Sequence, residues 1–162
     1  MTIYIVFTLI LSSLLVSISK DDIETMLISE KKLRLFALFG FFYLLCIGFS
    51  NERINSMDSI LDNLLAMLII FFIMFSISYI SFKLFKINSL GFGDIKLSSI
   101  SSIWLGIEMT IISLCISFLL SALYSLHRII TNRFRRFDQY PFAPFLSIGI
   151  LISWVLAKIW TF

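Results

Sequence analysis

The chain is cut by its charged residues into long uncharged stretches, and that pattern limits it more than any other feature does. The uncharged runs cover residues 2–19, 35–51, 63–82, 97–107, 109–127 and 139–157. Five of the six hold 17 to 20 residues. At 1.5 Å per residue, such helices match or nearly match a hydrocarbon layer about 30 Å thick. A charge at the bilayer centre costs several kcal/mol, so the charges mark where the chain leaves the membrane. In lipid each span must satisfy its own backbone hydrogen bonds, which leaves helices as the building element. Composition agrees: 59% of the 162 residues are hydrophobic and 14% are charged, against about 25% charged in a soluble domain. The expected fold is an all-α integral membrane protein, a bundle of six transmembrane helices, with residues 1–162 forming one membrane-embedded domain.

The fourth run is short, and the neighbouring segment decides the count. Residues 97–127 could form one helix about 46 Å long, with Glu108 near its middle. The alternative is two helices with a tight turn at Gly106–Glu108. Basic residues collect in cytoplasmic loops, and this bias favours the second form. With six spans, eleven basic residues fall on one side, in the stretches 20–34, 83–96 and 128–138, and only Arg53 and Lys158 on the other. With five spans the split is eight to five. The six-span topology puts both termini outside. The uncharged start, residues 1–19, has no basic leading segment and no small-residue cleavage site, so it is expected to remain as the first span.

Several chemistries have little to work with. Cys46 and Cys115 lie alone in apolar runs, and the single histidine, His127, ends one. A zinc site or a His-assisted nucleophile is not expected, and no cofactor or metal is indicated. A net charge of +3 with no basic-aromatic surface does not suggest nucleic acid. The serines inside the spans are expected to bond backbone carbonyls or to let helices approach. The runs Phe39–Tyr43 and Phe71–Phe75 are expected to face lipid or pack. Nothing in the sequence sets an oligomeric state.

The acids carry the functional signal. Asp21 and Asp22 follow the first span directly, and Asp94 directly precedes the fourth, so both positions belong to one membrane surface. Asp94 follows Gly91-Phe92-Gly93. Glycines there allow positive φ or close backbone approach, although the same tetrapeptide could be a plain turn and helix cap. Two nearby aspartates can share a proton and activate a water without metal or histidine. A transporter would instead place its acids near the bilayer midplane, at broken helices, and a scaffold would tolerate their loss.

These residues resemble a known family. The segment Gly91-Phe92-Gly93-Asp94-Ile95-Lys96-Leu97 resembles the GxGD-x-K-hydrophobic motif of the type IV prepilin peptidases. Asp22 through Glu30 is similar to their first aspartate motif, with Ile28 at the matching distance from Asp22, Ser29 in place of the usual proline, and Glu30 in place of Asp or Asn. Tyr140 through Leu146 resembles their PFGPF-like opening of the last helix, with Ala143 where glycine is common. The resemblance implies an aspartyl protease of the cytoplasmic membrane. Its substrate would be a prepilin or pseudopilin, a basic leader followed by a hydrophobic helix, cut at the cytoplasmic face. It implies Asp22 and Asp94 as the catalytic pair and Gly91, Gly93 and Lys96 as loop-shaping motif residues. Another GxGD intramembrane protease, or a membrane transporter or scaffold, is the alternative. The CxxC region linked in many members to methylation of the product is missing here, so a peptidase core alone is expected.

Overall fold

The computed structural model describes residues 2–50, 56–86, 90–131 and 140–160. Glu52, Arg53, Arg133, Arg135, Arg136 and Asp138, which weigh in the topology argument, lie outside them. The described residues form five helices and no strand: α1 (Thr2–Thr25), α2 (Glu30–Ser50), α3 (Ser56–Phe85), α4 (Phe92–Ile130) and α5 (Ala143–Trp160). Three of them, within Tyr4–Thr25, Ile60–Leu84 and Phe92–Ile130, are long and apolar enough to cross a membrane. Leu9, Leu68, Phe72 and Leu119 are among many large apolar side chains left exposed, as a lipid-facing surface requires.

The helix count is five rather than the expected six. The fourth and fifth uncharged runs are joined in α4, a continuous element of 39 residues. Gly106 is its single non-helical residue, at φ 73° and ψ 175°. No loop separates the two arms, because one glycine makes the whole turn. A side chain would be strained at that φ, and a Cβ would also lie 3.3 Å from Asn63 Oδ1 on α3. The Asn63 amide donates to the carbonyl of Ile103 at 3.4 Å, just before the break.

The packing shows what the turn does. Before it, Trp104 meets Trp154 late in α5, with centroids 5.9 Å apart. After it, Ser113 and Ser117 face Gly149, Phe118 meets Phe142 at 5.4 Å, and Ser125 donates to the Tyr140 hydroxyl at 3.0 Å. As α4 advances, its partners on α5 recede. The second arm is therefore antiparallel to α5; the first arm begins with Asp94 beside Asp22 and Ala143, at the start of α5, so it runs the other way and α4 doubles back at Gly106.

Helices α1 and α5 are zipped in the same antiparallel sense. The Tyr4 hydroxyl donates to the Trp154 carbonyl at 2.9 Å, and Trp154 Nε1 donates to Thr8 Oγ1 at 2.9 Å. Further along, Ser19 Oγ donates to Ser147 Oγ at 2.8 Å. The core is aromatic. Trp104 stacks on Phe36 and Tyr43, each at 5.6 Å, and its Nε1 donates to the Phe36 carbonyl at 3.1 Å. Gly40 makes room for that indole, since a Cβ there would sit 2.6 Å from Trp104 Nε1. Of the aromatic runs, Tyr43 is core while Phe41, Phe42, Phe72 and Phe75 are exposed. Ser98 and Ser99 both donate to the Ile95 carbonyl, at 2.9 and 2.6 Å, as in-span hydroxyls do.

Candidate active site

The α1–α5 zipper delivers Asp22 to the start of α5. Helix α1 runs through Lys20, Asp21 and Asp22 to Thr25 and stops at Met26, whose φ of 54° turns the chain away. Asp22 lies on the inner face of this last stretch and is only 5% exposed. Its Oδ2 accepts the backbone N–H of Ala143, the first residue of α5, at 2.9 Å. The first turn of a helix has N–H groups without intrahelical partners and a partial positive charge. A carboxylate brought in from another helix satisfies both. The local sequence suits this arrangement. The Phe142 carbonyl accepts the N–H groups of Phe145 and Leu146 at 3.0 and 3.1 Å, and Pro144 falls in the first turn, where its missing donor costs nothing.

Asp21, one residue earlier, faces elsewhere. It forms an ion pair with Lys32 at 2.7 Å, and Lys32 also donates to the Ser17 carbonyl at 3.0 Å. The geometry thus separates the two adjacent acids. One is a half-exposed salt-bridge partner and the other is a buried carboxylate at a helix end.

Asp94 arrives from α4. Its cap residue is Gly91, at φ −67° and ψ 146°, whose carbonyl accepts the N–H groups of Asp94 and Ile95 at 3.1 and 3.2 Å. Asp94 sits in the first turn with no side-chain cap bond, so it is not the helix cap that the tetrapeptide also allowed. It is 8% exposed, and its Oδ1 is buried with no hydrogen-bond partner. Asp94 and Asp22 lie close enough to interact electrostatically. The structure therefore brings the two together at one end of the bundle, the end where α1 stops and α4 and α5 begin.

The motif glycines act through their lack of a side chain. Neither Gly91 nor Gly93 has positive φ, contrary to one of the two expected uses. A Cβ on Gly93 would lie 3.1 Å from Ile28 Cβ and 3.3 Å from its Cγ1 and Cδ1, and one on Gly91 would lie 3.1 Å from Asp94 Oδ2. Ile28 belongs to the segment between α1 and α2 that follows Asp22. The two aspartate segments thus touch through Gly93 and Ile28. Lys96 ties them a second time, with Nζ 2.6 Å from Glu30 Oε1 at the start of α2. That bond and the Lys96 charge hold the Glu30 carboxyl below its ordinary range.

Sequence reasoning did not foresee three of these features: the Ala143 N–H, the Glu30 partner of Lys96, and the packing role of Ile28. The first is a backbone group and has no side-chain signature. The other two lay inside segments already singled out, but only the fold pairs them. Among the described residues no three His, Cys, Asp or Glu side chains gather as metal ligands would. His127 is exposed, and Cys46 and Cys115 are free.

The family model for the type IV leader peptidase family matches residues 9–126, a stretch that includes both aspartates and both glycines. No curated protein matches the chain, and no solved structure does. With most of its length matched, and with helices apolar enough for several membrane crossings, this multi-pass membrane protein belongs to the type IV leader peptidase family.

Proposed function

We propose that the protein is an aspartyl endopeptidase of the cytoplasmic membrane that removes the leader from a prepilin or pseudopilin-like substrate at the cytoplasmic face. The observation that carries this reading is the pairing of two buried, electrostatically interacting aspartates, one of which has an unpartnered carboxylate oxygen. A buried polar atom left without a partner is costly, and at this position a water, or a substrate carbonyl when the oxygen carries a proton, would satisfy it. Asp22 and Asp94 divide the work of hydrolysis. The ionised member takes a proton from water, and the resulting hydroxide attacks the scissile carbonyl. The protonated member donates to the carbonyl oxygen as it gains charge, and the leaving amine carries away a proton. Gly93 lets the two segments close on each other, Gly91 leaves room for the Asp94 carboxylate, and Lys96 holds the segments together.

The proposed topology has six crossings. The two arms of α4 each cross once, so both termini lie outside and the Asp22–Asp94 end faces the cytoplasm with most of the basic residues. The substrate's basic leader would remain on that side, with its hydrophobic helix in the bilayer.

The test is leader cleavage in membranes, with a prepilin carrying a basic leader and a hydrophobic helix. Asp22→Asn and Asp94→Asn are each expected to abolish processing while still inserting. Asn at position 22 keeps an oxygen for the Ala143 N–H, so loss of activity would not follow from loss of that bond. Asp21→Asn is expected to retain most activity. Normal processing by both Asn variants at positions 22 and 94 would reject the pair and leave a scaffold or transporter as the better account.

A further inference from the structure

We infer that the backbone N–H of Ala143 is a positioning group of the active site, and that it makes the pair asymmetric, with Asp22 the charged member and Asp94 the proton-bearing one. The inference rests on the proposed peptidase reading and deepens it. The Tyr140–Leu146 segment, which a helix start alone would explain, then has a task in the chemistry.

The argument starts from what each carboxylate touches. Asp22 Oδ2 accepts the Ala143 N–H at 2.9 Å in a buried setting. An N–H can only donate, so this oxygen is held as an acceptor, and donors at a helix N-terminus favour negative charge. Asp94 has the opposite surroundings. Its Oδ1 has no hydrogen-bond partner, and the charge that acts on it is that of the other acid. The two carboxylates cannot comfortably ionise together. Of the two, Asp22 has the environment for the charge, and Asp94 has a free oxygen on which a proton can be shared with substrate.

Among the described residues, the neighbouring acids are already committed to lysines. Asp21 is paired with Lys32, and Glu30 with Lys96. The first turn of α5 contains no acidic residue. Among the described residues, the helix-terminal N–H of Ala143 is hydrogen-bonded to Asp22 Oδ2, so it orients the carboxylate and favours its charged form.

The test removes that N–H, and otherwise only weakens the Phe142 carbonyl as an acceptor for Phe145 and Leu146. Replacing Ala143 with its α-hydroxy acid analogue, lactic acid, by nonsense suppression turns the amide into an ester. The side chain and the helix start are kept, and the donor is lost. The same amide-to-ester change at Ile152, an exposed residue toward the far end of α5, serves as the control. The protein is assayed in membranes with the same prepilin substrate. The ester variant is expected to lose roughly 10- to 100-fold in kcat, the scale of losing one preorganised donor to a charged group, with KM nearly unchanged. The acidic limb of its pH–rate profile should move to higher pH, because the charged form of Asp22 loses support, and the Ile152 ester should show neither change. A purely structural role for Ala143 would lower the amount of active enzyme without moving that limb. Ala143→Pro removes the same N–H at a position where proline is tolerated and should behave as the ester does. Wild-type kcat and an unmoved limb in either N–H-deleted variant, with Asp22→Asn and Asp94→Asn inactive, would overturn the inference and leave the peptidase reading intact. Full activity of both Asn variants would instead remove the reading beneath it.

Discussion

A single methyl group at position 93 should uncouple activity from stability. Gly93 lies in the first turn of α4, and a Cβ there would meet three atoms of Ile28, at 3.1, 3.3 and 3.3 Å. These distances are tighter than ordinary van der Waals contact, and the nearest atom is the branch point of Ile28, which no rotamer change can move away. Either the segment between α1 and α2 or the start of α4 must shift by a few tenths of an ångström. Overpacking of this kind costs about 1–3 kcal/mol. Alanine in place of glycine within a helix returns about 1 kcal/mol. Gly93→Ala should therefore unfold within about 2 kcal/mol of wild type. Catalysis is less forgiving, because the shift falls between the segments that carry Asp22 and Asp94, and small misplacements of reacting groups can cost up to a hundredfold. Leader cleavage in membranes should fall at least tenfold, while thermal unfolding in detergent changes little. Adding Ile28→Ala removes the Cγ1 and Cδ1 contacts and should restore part of the rate. Wild-type cleavage by Gly93→Ala would refute the claim that contact between the two segments sets the spacing of the pair.

Two further predictions concern other contacts. Gly149→Ala would drive a Cβ to 2.5 Å from the Ser113 carbonyl oxygen on the second arm of α4. The obstacle is backbone, so separation of α5 from that arm and a loss of about 3 kcal/mol are expected in detergent unfolding. Charge exchange at the ion pair that links the aspartate segments should be diagnostic: Lys96→Glu alone is expected to slow cleavage, and Lys96→Glu combined with Glu30→Lys to recover most of it. No recovery would show that Lys96 contributes something other than its bond to Glu30.

Much of the fold was legible because charge and apolarity report directly on the solvent. Four of the uncharged runs lie within α1, α2, α3 and α5 or overlap them closely. Their ends differ for a physical reason. A charge stops a helix from staying in lipid but does not stop it from being a helix, so α1 continues through Lys20, Asp21, Asp22 and Glu24 to Thr25. Glu108 marked the right region for a break between the fourth and fifth runs, but the break itself is a matter of backbone geometry at Gly106. One residue with left-handed φ turns the chain without a loop. That is why division at the charges counts two helices where the backbone forms one folded element.

The site was legible to the extent that it is made of side chains. Asp22 and Asp94 stand out because acids beside long apolar runs are costly and must be explained. Their proximity follows from the topology that the basic residues favour. What the sequence could not show is how the pair is held, because each contact joins residues far apart in the chain: Asp22 to Ala143, Ile28 to Gly93, Glu30 to Lys96. These contacts share a logic. Each uses the end of a helix, where backbone donors are free and a lost side chain costs little regular structure. The protein thus gathers three helix ends at one edge of the bundle. There the backbone can supply polar partners that the apolar faces of the same helices, committed to lipid and to one another, cannot. A hydrolytic site in such a chain is restricted to that edge, and the unpartnered oxygen of Asp94 lies there, beside the one carboxylate that a helix end already holds.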